Sequence, residues 1–269
     1  MNSGKLYNAD YPLLSHYHHI PRIRVTVKVV FFIASLSFLI LFLASCGQSQ
    51  EGQSSYSSNP KQVNQASHSQ ITYVAIGASD TFGIGTSDPY TQNWPSDLAE
   101  KLGSGVHLIN LGIPGVTLHD ALSTELPVAL DSHPELVTIW LAVNDLADKV
   151  PINSYSYDLN LILNRLQSNV PNARILIANV PDLTLLPYFA TFNQQVLQKD
   201  IQEYNRAIAN IVQQHHVILV DLSQQNYNLK EHPEYISNDG LHPTDLGYLQ
   251  LAELFYKTLQ QSQGSALHK

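Results

Sequence analysis

From Ile71 onward, short apolar runs alternate with amphipathic stretches. Five runs stand out: Thr72–Gly77, Val106–Leu111, Leu136–Val143, Arg174–Val180 and Val217–Asp221. All are rich in Val, Ile and Leu and bounded by Gly, Pro, Asn or Asp. They are too continuous for strands with one wet face, so they predict strands buried on both sides, as in a parallel sheet covered by helices. Between them, Leu159, Ile162, Leu163, Leu166 and Val170 recur at helical spacing, as do Leu197, Ile201, Tyr204, Ile208 and Ile211. A last helix is expected to begin near Pro243-Thr244, with proline in its first turn, and to run through Leu246, Leu249, Leu254 and Leu259. The alternation predicts an α/β fold: a three-layer α/β/α sandwich on a five-stranded parallel sheet over residues 71–260, with 261–269 as a tail.

The chain before Ile71 follows other rules. Val29–Ser45 is an uncharged stretch of seventeen residues, broken only by Ser35, Ser37 and Ser45 and preceded by Arg22, Arg24 and Lys28. Basic residues, an apolar run and then small residues form the layout of a secretory signal. The run ends Leu43-Ala44-Ser45-Cys46, which resembles the bacterial lipobox, and the resemblance implies a signal peptide over 1–45 and lipid attachment at Cys46. An uncleaved membrane anchor is the alternative, although seventeen residues are short for a span. On either reading the basic flank stays inside, and the rest of the chain is extracytoplasmic. Residues 47–70 hold seven Ser, six Gln and two Asn in 24 positions. Such a composition builds no core and is expected to act as a flexible tether.

Composition narrows the partners. Of the 269 residues, 44% are hydrophobic and 13% charged, which excludes a wholly disordered chain. The net charge of −8 becomes −11 once residues 1–45, with four basic residues and one acid, are set aside. An acidic protein of this kind has no electrostatic claim on nucleic acid and is repelled by anionic surfaces. Its expected hold on a membrane is the lipid on Cys46. That residue is the single cysteine, so a disulfide within the chain and any multi-cysteine metal site are excluded. The histidines show no paired ligand spacing, and neither a metal nor another cofactor is expected.

In open parallel sheets, ligands bind beyond the carboxyl ends of the strands. Gly77-Ala78-Ser79-Asp80-Thr81 follows the first strand and Asn110 to Thr117 the second. Asn144-Asp145 follows the third, Asn179-Val180-Pro181-Asp182 the fourth, and Asp239-Gly240-Leu241-His242-Pro243 the fifth. Singly, each has a bland use: Ser79 or Asp80 as a helix cap, Gly112 and Gly115 as turn glycines, Asn144 as a turn residue, His242 as a helix-entry residue. Together they place a nucleophile, a base, a carboxylate and amide donors on one edge.

These blocks resemble the SGNH hydrolases, also called the GDSL family of esterases and lipases, over nearly all of residues 71–260. Ser79 matches the serine of the first block. Gly115, between Asn110 and Thr117, matches the glycine of the second. Asn144-Asp145 matches the third, and Asp239, His242 and Pro243 match the Asp-x-x-His-Pro block, the most specific signal. The sequence departs from the family pattern at Ala78, where Asp is usual, at Asp80, where Leu is frequent, and at Ala142, where Gly is usual.

The resemblance implies a flavodoxin-like SGNH fold and ester hydrolysis by Ser79, His242 and Asp239. Ser79 N–H, Gly115 N–H and the Asn144 amide then form the oxyanion hole. The same chain order, Ser, Asp, His, occurs in α/β-hydrolases, but those carry Gly-x-Ser-x-Gly, and Thr81 breaks that pattern. The ester stays open between an O-acetyl carbohydrate and a lipid acyl ester. Pro187, Tyr188 and Phe189 are candidates for a pocket wall or plain core, and Thr86–Trp94 for sugar contact. The alternative function is a non-catalytic surface lipoprotein that binds a ligand on the same fold.

Overall fold

The computed structural model describes residues 71–224, 229 and 231–266. The expected signal peptide, the Cys46 lipidation site and the tether lie outside the described residues. Five strands form one parallel sheet: β1 (Ile71–Gly77), β2 (Val106–Asn110), β3 (Leu136–Trp140), β4 (Arg174–Ala178) and β5 (Ile218–Val220). Their spatial order is β2-β1-β3-β4-β5. The observed strands lie within or one residue beyond the five apolar runs. The runs overshoot mostly at their carboxyl ends, because residues such as Leu141, Ala142 and Val180 stay buried after the ladder has ended.

Among the described residues, eight α-helices accompany the sheet: α1 (Ser79–Phe82), α2 (Trp94–Leu102), α3 (Leu118–Thr124), α4 (Leu126–Asp131), α5 (Val143–Ala147), α6 (Ile152–Asn169), α7 (Gln194–His215) and α8 (Asp245–Ala266). Side chains alternate across β1. Tyr73 and Ala75 join Trp94, Leu98, Tyr248 and Phe255 in one core. Val74 and Ile76 join Leu118, Leu159, Leu163 and Ile208 in the other. Helices α2 and α8 thus form one outer layer, with α3, α4, α6 and α7 in the other, as a three-layer α/β/α sandwich requires.

Three expectations need correction. Helix α8 begins at Asp245, because Thr244 acts from outside it, its hydroxyl accepting Gly247 N–H at 3.3 Å. Its buried stripe is Tyr248, Leu251, Ala252, Phe255 and Leu259, whereas Leu246 and Leu249 are exposed. The tail expected from 261 is helical as far as Ala266. Trp94 is fully buried and stacks on Phe255 at 4.2 Å between ring centroids, so it makes no sugar contact. Of that segment's aromatics, Tyr90 is the exposed one.

Candidate active site

In a 2-1-3-4-5 sheet the strand order reverses between β1 and β3, and the loops leaving those strands part around a crevice. Ser79 opens α1 directly after β1, and Asn144 lies in α5 just after β3. The first N–H groups of a helix have no intrahelical acceptor, so Ser79 brings a hydroxyl and a free donor direction to one point.

Asp239 and His242 come from one turn before α8. Asp239 Oδ1 accepts three donors: Ser237 Oγ at 2.8 Å, Leu241 N–H at 2.8 Å and His242 N–H at 2.9 Å. Its Oδ2 lies 2.7 Å from His242 Nδ1. On the far side of the ring, His242 Nε2 is 2.9 Å from Ser79 Oγ. Burial alone would raise the Asp239 pKa. The His242 ring and the backbone and hydroxyl donors outweigh it and hold the carboxyl at about 2. An ionised carboxylate can only accept, so Nδ1 carries the proton and Nε2 is left to accept the Ser79 hydroxyl. A local Asp-His pair and a serine 163 residues away are therefore joined in line, in the tautomer a base requires.

Asn144 Nδ2 donates to Val116 O at 2.8 Å, which ties α5 to the loop that carries Gly115 and leaves the amide a second N–H. Gly115 has φ +83°, a left-handed conformation that favours glycine, and a Cβ there would meet nothing within 4 Å. Its loop is fixed at both ends. Asn110 donates to Thr81 O at 2.7 Å and accepts Gly112 N–H at 2.9 Å. Thr117 forms a capping box with Asp120 at the start of α3. Both oxygens of buried Asp145 accept Leu118 N–H, at 3.2 and 3.0 Å. Burial raises the Asp145 pKa to about 6. Asp145, beside the asparagine, thus anchors the helix behind Gly115. Its bracing role was not visible in the sequence, where it reads only as Asn144's neighbour.

The departures from the family pattern have physical outcomes. Ala142 adopts φ 179°, which any residue tolerates, so Asn144 is delivered without a glycine. Asp80 lines a cavity of about 110 Å³ whose walls include Trp140, Val143, Leu183, Leu241 and Pro243. Burial raises its pKa, the neighbouring His242 ring opposes that, and Asp239 adds to it. A carboxyl, one residue after Ser79 in the chain, therefore stands in a largely apolar wall. Phe189 is core, at 1% exposure, and Tyr188 N–H braces the Asp239 turn through Gly240 O at 3.0 Å.

A parallel sheet of this order, with a hydrogen-bonded serine, histidine and aspartate at its carboxyl edge, defines a class of hydrolase whose serine sits on the first strand's turn. The chain belongs to the GDSL-like lipase/acylhydrolase family, whose model matches residues 75–249, and is a hydrolase acting on ester bonds. It is 23% identical over 163 residues to an acetylxylan esterase of Geobacillus stearothermophilus, covering 58% of this chain and 73% of that protein. The lipase/acylhydrolase structure from Enterococcus faecalis shares its fold at a TM-score of 0.59 and 20% identity, over 71% of this chain and 96% of that one. So does the Clostridium thermocellum family 3 carbohydrate esterase, at 0.57 and 22%, over 73% and 98%.

Proposed function

We propose that this protein is a serine esterase that removes small acyl groups, acetyl above all, from carbohydrate hydroxyls. The observation that carries the mechanism is the line Asp239–His242–Ser79, with contacts of 2.7 and 2.9 Å. Ser79 Oγ attacks the ester carbonyl carbon as His242 Nε2 takes its proton. The oxyanion of the tetrahedral intermediate meets the N–H of Ser79, the N–H of Gly115 and the Asn144 amide. Collapse breaks the C–O bond to the alcohol, which leaves with the proton from His242. Water, deprotonated by the same nitrogen, then attacks the acyl-enzyme. The acid departs and Ser79 Oγ takes back its proton.

Two observations support a small acyl group. Asp80, the residue after Ser79, places a carboxyl in the wall of a largely apolar cavity, and burying an alkyl chain against it forfeits hydrogen bonds. The similar proteins include an acetylxylan esterase and a carbohydrate esterase. Hydrolysis of p-nitrophenyl esters by residues 71–269 tests the reading. Activity is expected to be highest on acetate and to fall with chain length, and a maximum on long acyl chains contradicts it.

The signal-like run ending at Cys46 supports a site of action outside the cytoplasm, with the enzyme tethered to a membrane by lipid. Mass spectrometry of the mature N-terminus tests this: a lipidated Cys46 is expected, and an intact 1–45 segment contradicts it.

A further inference from the structure

Strand β2 ends at Asn110, and the chain beyond it turns away from β1. Leu111 N–H still reaches Ala75 O at 2.8 Å, and Ile113 N–H reaches Gly77 O at 3.0 Å. Gly77 N–H, on the same edge of β1, bonds instead to Glu125 Oε1 at 3.0 Å. Glu125 stands at the junction of α3 and α4. Its own N–H bonds to Ala121 O at 3.1 Å, and its carbonyl accepts Ala129 N–H at 3.0 Å. The side chain is therefore delivered from a fixed point, and the residue is fully buried.

Gly77 is the second residue before Ser79. From the other side it is pressed by Thr81: a Cβ on Gly77 would fall 2.0 Å from Thr81 Oγ1. The turn that presents the nucleophile is thus clamped between a helix of its own and a carboxyl from the α3–α4 corner. Glu125 Oε2 has no partner among the described residues. A fully buried carboxylate with a single N–H donor is strongly disfavoured, whereas a neutral acid is tolerated.

We propose that Glu125 is a positioning residue for Ser79: its neutral carboxyl holds the β1–α1 turn in register, and its ionisation lowers turnover on the alkaline side. The inference rests on the esterase reading. Burial pushes the Glu125 pKa up to about 8, with only the Gly77 N–H pulling it down, and no charged side chain adds to either direction. Below that pH the residue is neutral. Above it, a buried negative charge lies behind the turn whose N–H meets the oxyanion, and opposes the charge developing there.

The test is the pH dependence of kcat and KM for wild type, Glu125→Gln and Glu125→Leu, corrected for spontaneous hydrolysis. Wild-type kcat is expected to fall above about pH 8. Glu125→Gln keeps an acceptor for Gly77 N–H and cannot ionise. Its kcat at neutral pH should stay within about twofold of wild type, and the alkaline fall should vanish. Glu125→Leu should lower kcat by about 10- to 100-fold with KM little changed, as a misplaced nucleophile does. An alkaline fall that persists in Glu125→Gln, a wild-type kcat flat well past pH 8, or a folded Glu125→Leu with wild-type kcat overturns the proposal. Should Glu125→Leu not fold, the Glu125→Gln profile decides. Wild-type protein inactive at every pH sinks the esterase reading itself, a different result from activity without the predicted profile.

Discussion

Two carboxyl groups stand behind the two halves of this site, and they are kept in opposite charge states. Asp239 sits on a partly exposed turn, accepts four donors and is held at about 2. Glu125 sits in the core, accepts one donor and is pushed up to about 8. Residue type does not separate them. The number of donors converging on each group and its access to water do. On the proposed mechanism, the charged one orients a base that becomes positive during the reaction, and the neutral one braces a nucleophile beside which negative charge must form. Placing either charge state at the other position would work against the chemistry.

The comparison breaks most severely at its charged half. Asp239→Asn puts an amide where only an acceptor serves, so His242 can present the wrong tautomer. The expected loss in kcat is on the order of 10³-fold or more, and pH–rate measurements with a folded variant check it. A loss below about 10-fold would mean that Asp239 does not orient His242.

Next is the donor set that the neutral half protects. Asn144→Ala should lower kcat by on the order of 10²-fold while KM stays close to wild type, since the amide is proposed to meet charge that exists only in the transition state. A change confined to KM would make Asn144 a substrate-binding residue.

A smaller effect is expected at Asp80. Asp80→Leu makes the wall apolar, and the ratio of butyrate to acetate hydrolysis should rise by about 10-fold, in line with the cost of burying alkyl groups against a carboxyl. An unchanged ratio would detach Asp80 from acyl selection.

A further effect is thermodynamic and separates the two carboxyls by sign. The Glu125 pKa is raised from 4.5 to about 8, so its cost to stability grows as pH rises through that window and is absent below it. The Asp239 pKa is depressed from 3.8 to about 2, so its contribution is present above 3.8 and is lost as pH falls through about 2. Melting curves of Glu125→Gln should therefore gain on wild type at pH 9 and show little difference at pH 5. Equal differences at both pH values would mean that Glu125 does not titrate in this window.

The difference between these halves also marks what the sequence could reveal. Asp239 and His242 lie three residues apart in one block, and Ser79, Gly115 and Asn144 each follow an apolar run, so periodicity and local spacing were enough to bring them together. Glu125 lies 48 residues from Gly77, inside a helical stretch where glutamate ordinarily points to solvent. Only the path of the chain after β2 leaves Gly77 N–H in need of it. Asp145 was hidden in the same way, because Leu118 is 27 residues distant. Helix α8 contains the expected leucines, but Leu246 and Leu249 among them are exposed, while Tyr248, Ala252 and Phe255 fill its buried stripe with Trp94.

The central claim, that Ser79 is a nucleophile activated by His242, is tested most directly by labelling with a fluorophosphonate followed by peptide mapping. The account predicts a single phosphonylated residue, Ser79, with labelling lost in Ser79→Ala together with ester hydrolysis, a fall of about 10³-fold or more. Labelling of a different serine, or hydrolysis by Ser79→Ala at the wild-type rate, would contradict it.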